Sequence, residues 1–262
     1  MTIPTKIGKY TIDSQLASSA VGMHRYSAVD RSVMHEVELW VFSDRSATFR
    51  EELLNWARRF ATTAHLHLIP VIDVIPTEDG HYCMVTHSVP GANLFETCGG
   101  SGLPIDECVR IVAATASALD HVHAKGITHG SICPFCILSE HERPNVYLTD
   151  FSIVPLDRGV PAYASPQRLK LETGPDTTSD IYSLGMCFHH ALTGKQPFEG
   201  SSLEVLEQAA SGSPVSPRRQ NPSIPLELER ICLKAIAINP QGRYATAGEM
   251  VADLRKWKSS KA

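Results

Sequence analysis

The chain has 262 residues, of which 43% are hydrophobic and 20% charged, and a formal net charge of −4. That is enough sequence for one large domain or two lobes, with apolar content for a full-sized core. The near-neutral balance gives no overall pull toward nucleic acid or an anionic membrane, and no apolar run approaches the roughly 18 residues of a membrane span. The first residues, Met1 to Lys6, lack the apolar stretch of a signal peptide. The seven cysteines are scattered and odd in number, so at least one stays unpaired, which suits a reducing cytoplasm.

In chain order, Tyr10–Ile12, Met34–Phe42 and His81–Val85 are short β-prone runs bounded by Gly, Asp and Ser. Thr48-Phe49-Arg50-Glu51 is a capping-box signature for a helix start. Phe49, Leu53, Trp56 and Phe60 then follow at helical spacing on one face. From about Pro90 the pattern turns helical. One helix is expected over roughly Asp106 to Lys125, with Val109, Val112, Ala116, Leu119 and Val122 as its buried stripe and Gly126 as its stop. Another runs from Ser179-Asp180 to Gly194, and the last two fall around Leu226–Ile238 and Thr246–Lys258. The Ser/Pro-rich stretch from Ser211 to Pro222 is expected to be a surface connection.

Several motifs recur in a recognisable order. Gly126 to Leu138 contains His129-Gly130-Ser131-Ile132-Cys133-Pro134-Phe135-Cys136, and Leu148-Thr149-Asp150-Phe151-Ser152 follows shortly. These resemble the HRDxKPxN catalytic loop and the DFG magnesium loop of protein kinases. Pro161-Ala162-Tyr163-Ala164-Ser165-Pro166-Gln167 resembles the end of an activation segment. Ser179-Asp180-Ile181-Tyr182-Ser183-Leu184-Gly185, Leu192-Thr193-Gly194-Lys195-Gln196-Pro197-Phe198 and Asn239-Pro240-Gln241-Gly242-Arg243-Tyr244 are similar to later segments of the same family. The resemblance is to bacterial eukaryotic-like serine/threonine kinases and covers essentially the whole chain. It implies an α+β, bilobal fold: an antiparallel sheet plus one helix in residues 1–88, and a mainly α-helical lobe in residues 89–262.

Against that pattern, the working residues are altered. The phosphate-loop stretch Leu16 to Tyr26 keeps only Gly22 of the family's glycines. Val37-Glu38-Leu39-Trp40 lies where the family has VAIK, so Glu38 replaces the alanine that roofs the adenine and Trp40 the phosphate-binding lysine. Alternation puts both on one face, which in the family looks into the cleft. The helix position of the lysine's glutamate partner falls on Trp56, and Trp40 and Trp56 are therefore expected to face each other. Glu38 is expected to repel a triphosphate. Ser131 takes the place of the catalytic aspartate, Cys133 that of the lysine and Cys136 that of the metal-binding asparagine. Asp150 is retained, Thr86 stands at the gatekeeper position, and these two with Gly22 are the vestiges of a nucleotide site. Gly130 replaces the arginine that reads loop phosphorylation, and no hydroxyl lies between Ser152 and Tyr163.

The reading that follows from these losses is a pseudokinase: no catalytic residues, no cofactor, no bound metal, no ATP-magnesium binding, and a protein partner docked on the helical lobe and around Val160–Tyr163. An alternative is an atypical serine/threonine kinase-like enzyme that keeps weak ATP binding through Asp150. A third, thiol or zinc chemistry at Cys133-Pro134-Phe135-Cys136, lacks a second CxxC and a thioredoxin-like context.

Overall fold

The computed structural model describes residues 4–18, 23–140, 143–149, 161–170, 174 and 176–261. The chain divides into two units, Met1–Ala64 with Leu68–Pro90, and His65–His67 with Gly91–Ala262.

The first unit holds β1 (Lys6–Ile7), β2 (Tyr10–Ser18), β3 (Met23–Asp30), β4 (His35–Phe42), α1 (Ala47–Ala61), β5 (Val71–Pro76) and β6 (Tyr82–His87). Its strands form one antiparallel sheet in the order β1-β2-β3-β4-β6-β5. Strand alternation sorts the side chains. Val37, Leu39 and Val41 of β4 join Ile7, Tyr10, Tyr26, Ala28, Cys83 and Val85 in a buried cluster on one face. Glu38, Trp40 and Phe42 therefore lie on the other. The capping box at Thr48 is not the helix start. Ser46 is the N-cap of α1, its Oγ accepting from Phe49 N at 3.1 Å, and its own amide is held by Asp44 Oδ1 at 2.8 Å. Capping two residues earlier satisfies the first amides with a residue already fixed in extended backbone.

The second unit holds β7 (Gly91–Asn93), α2 (Leu94–Cys98), α3 (Ile105–His123), β8 (Ile137–Glu140), β9 (Val146–Leu148), α4 (Pro166–Leu169), α5 (Thr177–Thr193), α6 (Ser202–Ser211), α7 (Pro217–Gln220), α8 (Leu226–Ala235) and α9 (Ala247–Ser259). The small sheet β7-β8-β9 frames the loop between α3 and β8. α5 is buried on all sides from Ser179 to Leu192, as a helix packed all round by others must be. It can lie close to α8 because position 185 is glycine. A Cβ there would stand 2.7 Å from both Ala235 Cβ and Ile236 Cγ2. Ser211–Pro222 is not wholly irregular, since it contains the short helix α7, opened by Pro217 at its first turn.

Burial lowers the pKa of His65, His87, His129, His189 and His190, the last to about 4. Neutral in the fold, these rings protonate near pH ~6.5 once unfolded, so the unfolded chain binds more protons and stability falls as pH drops below that value. The carboxylates act lower, as with Asp30 at about 2 beside Lys9 and Ser32. The melting midpoint is expected to fall steadily from pH 7.5 to 5, and His190→Gln to shrink that fall. A midpoint that is flat or rises over this window would contradict the assignment of neutral buried imidazoles.

Candidate functional site

On the sheet, the site is set by register. β3 and β4 pair Asp30 with His35, which brings Arg25 opposite Trp40 and Ser27 opposite Glu38. On the other side of β4, β6 places Thr86 opposite Glu38 and Met84 opposite Trp40. Directly opposed residues share a face. Arg25 Nη2 donates to Glu38 Oε2 at 2.6 Å, and the guanidinium carbon lies 4.1 Å from the centre of the Trp40 ring. Trp40 is buried, and its Nε1 has no hydrogen-bond partner among the described residues. Thr86 is buried beside this group.

Two sequence expectations fail here. Trp40 makes no ring contact with Trp56 among the described residues: Arg25 lies over one face of its indole, while Trp56 stacks on Phe60 one turn along α1, with centroids 4.8 Å apart and planes at 12°. Nor is Glu38 a bare negative charge, because it is ion-paired. Arg25 was the residue that sequence reading missed. Counting back from the Asp30–His35 hairpin would have placed it opposite Trp40.

In the helical unit, the loop that carries Ser131 is held from beneath by Asp180 of α5. Asp180 Oδ2 accepts from His129 N and faces His123 Nε2, both at 2.8 Å, and Oδ1 accepts from Gly130 N at 2.7 Å. Gly130 sits at φ 79°, a conformation glycine adopts without a Cβ penalty. His129 is fully buried. It lies 2.7 Å from Thr149 O through Nε2 and accepts from Ser131 N at 3.3 Å through Nδ1. The Nε2–H tautomer satisfies both contacts. Thr149 N in turn donates to Cys136 O at 2.9 Å, so the backbone entering Asp150 is pinned on both sides.

Cys133 and Cys136 are buried. Cys136 Sγ donates to Cys133 O at 3.0 Å and receives Cys133 N at 3.2 Å. Its sulfur is turned onto the backbone of Cys133. Gly22, Asp150, Phe151, Ser152 and Val160 lie outside the described residues. The expected docking surface at Val160–Tyr163 is corrected in its second half. Ala162 and Tyr163 are buried, and Tyr163 Oη bonds His190 Nδ1 at 2.6 Å.

Arg243 is also buried and lacks an ion pair among the described residues. Its guanidinium donates to Gln167 Oε1, Thr178 O, Ala237 O and Ile238 O at 2.7–3.0 Å and lies over the Tyr182 ring. Burial lowers its pKa, which nearby Asp176 partly offsets. Asp176 itself caps α5 by accepting from Ser179 N at 2.7 Å.

The chain matches the protein kinase domain model over residues 40–253. It belongs to the protein kinase family. It is 33% identical over 223 residues to the serine/threonine-protein kinase PrkC of Bacillus subtilis, covering 78% of this chain and 34% of that protein. It is 31% identical over 223 residues to PknB of Mycobacterium leprae, covering 79% of this chain and 35% of the relative. With PknE of Mycobacterium tuberculosis it shares 27% over 263 residues, covering 95% of this chain and 46% of the relative. The chain thus spans between a third and a half of these relatives. The fold is the α+β protein kinase fold that the motifs imply.

These relatives overturn the expectation that the chain is not an enzyme, since they are named as serine/threonine-protein kinases and are 33% and 31% identical to it over 223 residues. The altered positions are compensated in part by neighbours, since Glu38 is ion-paired to Arg25 and the loop that carries Ser131 is held by Asp180. No helix among the described residues is long and apolar enough to cross a membrane.

Gln167→Glu supplies Arg243 with a counter-charge at a hydrogen bond already made, 3.0 Å long. A charged partner adds about 1 kcal/mol over a neutral one, so the melting midpoint at pH 7 should rise by roughly 2–4 °C. Beside Arg243 the new carboxyl has its folded pKa depressed. Its gain is therefore present above the unfolded value of ~4.3 and lost as pH falls through the folded one. A neutral or lowered midpoint at pH 7 would sink this account.

Proposed function

We propose that the chain is an atypical serine/threonine protein kinase that binds nucleotide weakly and transfers phosphate slowly to a protein acceptor. The observation that carries this reading is the intact support around the catalytic loop. Asp180, His129 and the Cys136 carbonyl fix the backbone on both sides of Thr149, and Asp150 is the next residue.

Phosphoryl transfer depends chiefly on positioning and on electrostatic stabilisation. Asp150 supplies the hard oxygen donor suited to magnesium, which when bound offsets the charge of the phosphates. Cys136 takes no part, because its sulfur is soft and turned onto Cys133. Ser131 offers a hydroxyl where the family offers a carboxylate, so it orients an acceptor but does not take its proton at neutral pH. Loss of a general base costs ~10²–10⁴ in rate, which makes the enzyme slow. The seven cysteines, all buried, suit the reducing environment of the cytoplasm. Burial raises the pKa of Cys83 to about 12 and of Cys98 to about 11, and also raises that of Cys108, Cys187 and Cys232, which keeps these five unreactive.

The test is transfer of the γ-phosphate of ATP to a general protein acceptor, with magnesium or manganese, alongside the melting midpoint. Slow, metal-dependent transfer that Asp150→Asn abolishes is the expected result. Ser131→Asp should raise the rate at least ~10-fold by restoring a base. The proposal fails if millimolar ATP with either metal shifts no midpoint and no phosphate is transferred, even by Ser131→Asp.

A further inference from the structure

In protein kinases the sheet offers the nucleotide phosphates a lysine, on the strand that corresponds to β4. Trp40 stands at that position, and its side chain is buried. The positive charge on this face comes from the next strand. Arg25, directly opposite Trp40, holds its guanidinium 4.1 Å from the indole centre and pairs with Glu38 at 2.6 Å. The other cross-strand neighbours on the face (Ser27, Met84 and Thr86) carry no charge.

A guanidinium stacked on an aromatic ring is planar, permanently charged and already ordered. It therefore gives up little freedom when it meets an anion, and its fork suits phosphate oxygens. We infer that Arg25 is a phosphate-binding residue for a nucleoside triphosphate, with Trp40 as its platform and Glu38 as the anchor that fixes it. The assignment rests on the nucleotide-binding reading above and names the group that would hold the phosphates from the sheet side. Glu38 has two opposed effects. It orients the guanidinium, and it places a negative charge near the same phosphates, so the grip is weak by construction.

Competition binding with a fluorescent ATP analogue, displaced by ATP or by adenosine, separates phosphate recognition from base recognition. Arg25→Met is expected to weaken ATP at least ~10-fold and leave adenosine within about twofold, and Arg25→Lys to retain most of the ATP affinity. Because Arg25→Met leaves Glu38 without its partner and could disturb the sheet, Glu38→Gln serves as the second variant. It keeps the shape and the arginine, and should tighten ATP several-fold. A residue serving only to stabilise the sheet would predict the reverse or no change.

The assignment alone is overturned if the unmodified chain binds ATP but Arg25→Met lowers ATP and adenosine together or neither, or if Glu38→Gln weakens ATP. An unmodified chain that binds no ATP overturns both the assignment and the nucleotide reading beneath it.

Discussion

The loop that carries Ser131 depends on one carboxylate. Asp180 is buried in the first turn of α5 and receives two consecutive backbone amides, His129 N on Oδ2 and Gly130 N on Oδ1, with the His123 ring also on Oδ2. A charge so placed is costly unless its lone pairs are filled, and the loop fills them. That requirement fixes the loop to α5 in one conformation. It turns Gly130 into the left-handed region and brings the His129 ring against Thr149. The exchange is mutual: the loop is rigid because Asp180 must be satisfied, and Asp180 is tolerated because the loop is rigid.

The sheet solves a similar problem with less burial. Its face opposite the buried cluster carries a carboxylate, a guanidinium and an indole within contact distance, where apolar residues and a lysine are the family's usual furniture. Glu38 and Arg25 cancel each other's charge, and Trp40 contributes area and a flat surface. The arrangement is stable because each partner answers the other's cost. An arginine alone at this position would be poorly fixed, and a glutamate alone would be unpaired at a largely buried site.

Much of this was legible in the sequence, and the limits have identifiable causes. The long helices declared themselves through spacing and terminators: α3 ends near Gly126, and α5 is closed by Gly194 in the left-handed conformation. The loop motifs gave the family and therefore the fold. β3 was missed because its run, Met23-His-Arg-Tyr-Ser-Ala-Val-Asp, is polar at every second or third residue and looks like a loop until the hairpin pairs it. The cap of α1 was misplaced because Thr48 and Glu51 satisfy a pattern that Ser46 satisfies in space. At the site, single-position reading identified which residues differ from the family. It could not show that Arg25, fifteen residues from Trp40 in sequence, lies over its ring, since such a contact is created by strand register. The same limit hid the burial of Tyr163, whose hydroxyl finds His190.

The glycine at position 185 has a reach beyond its own helix. With both Ala235 and Ile236 within 2.7 Å of where a Cβ would go, a single methyl group there would act as a wedge under the end of α8. The chain leaving α8 carries Ala237 and Ile238, whose carbonyls hold the Arg243 guanidinium. That guanidinium also grips Gln167 in α4 and the Thr178 carbonyl at the start of α5. A displacement begun at the smallest side chain in the core would therefore be delivered to the segment that follows the activation loop. The absence of one carbon atom is in this sense a mechanical component of the domain.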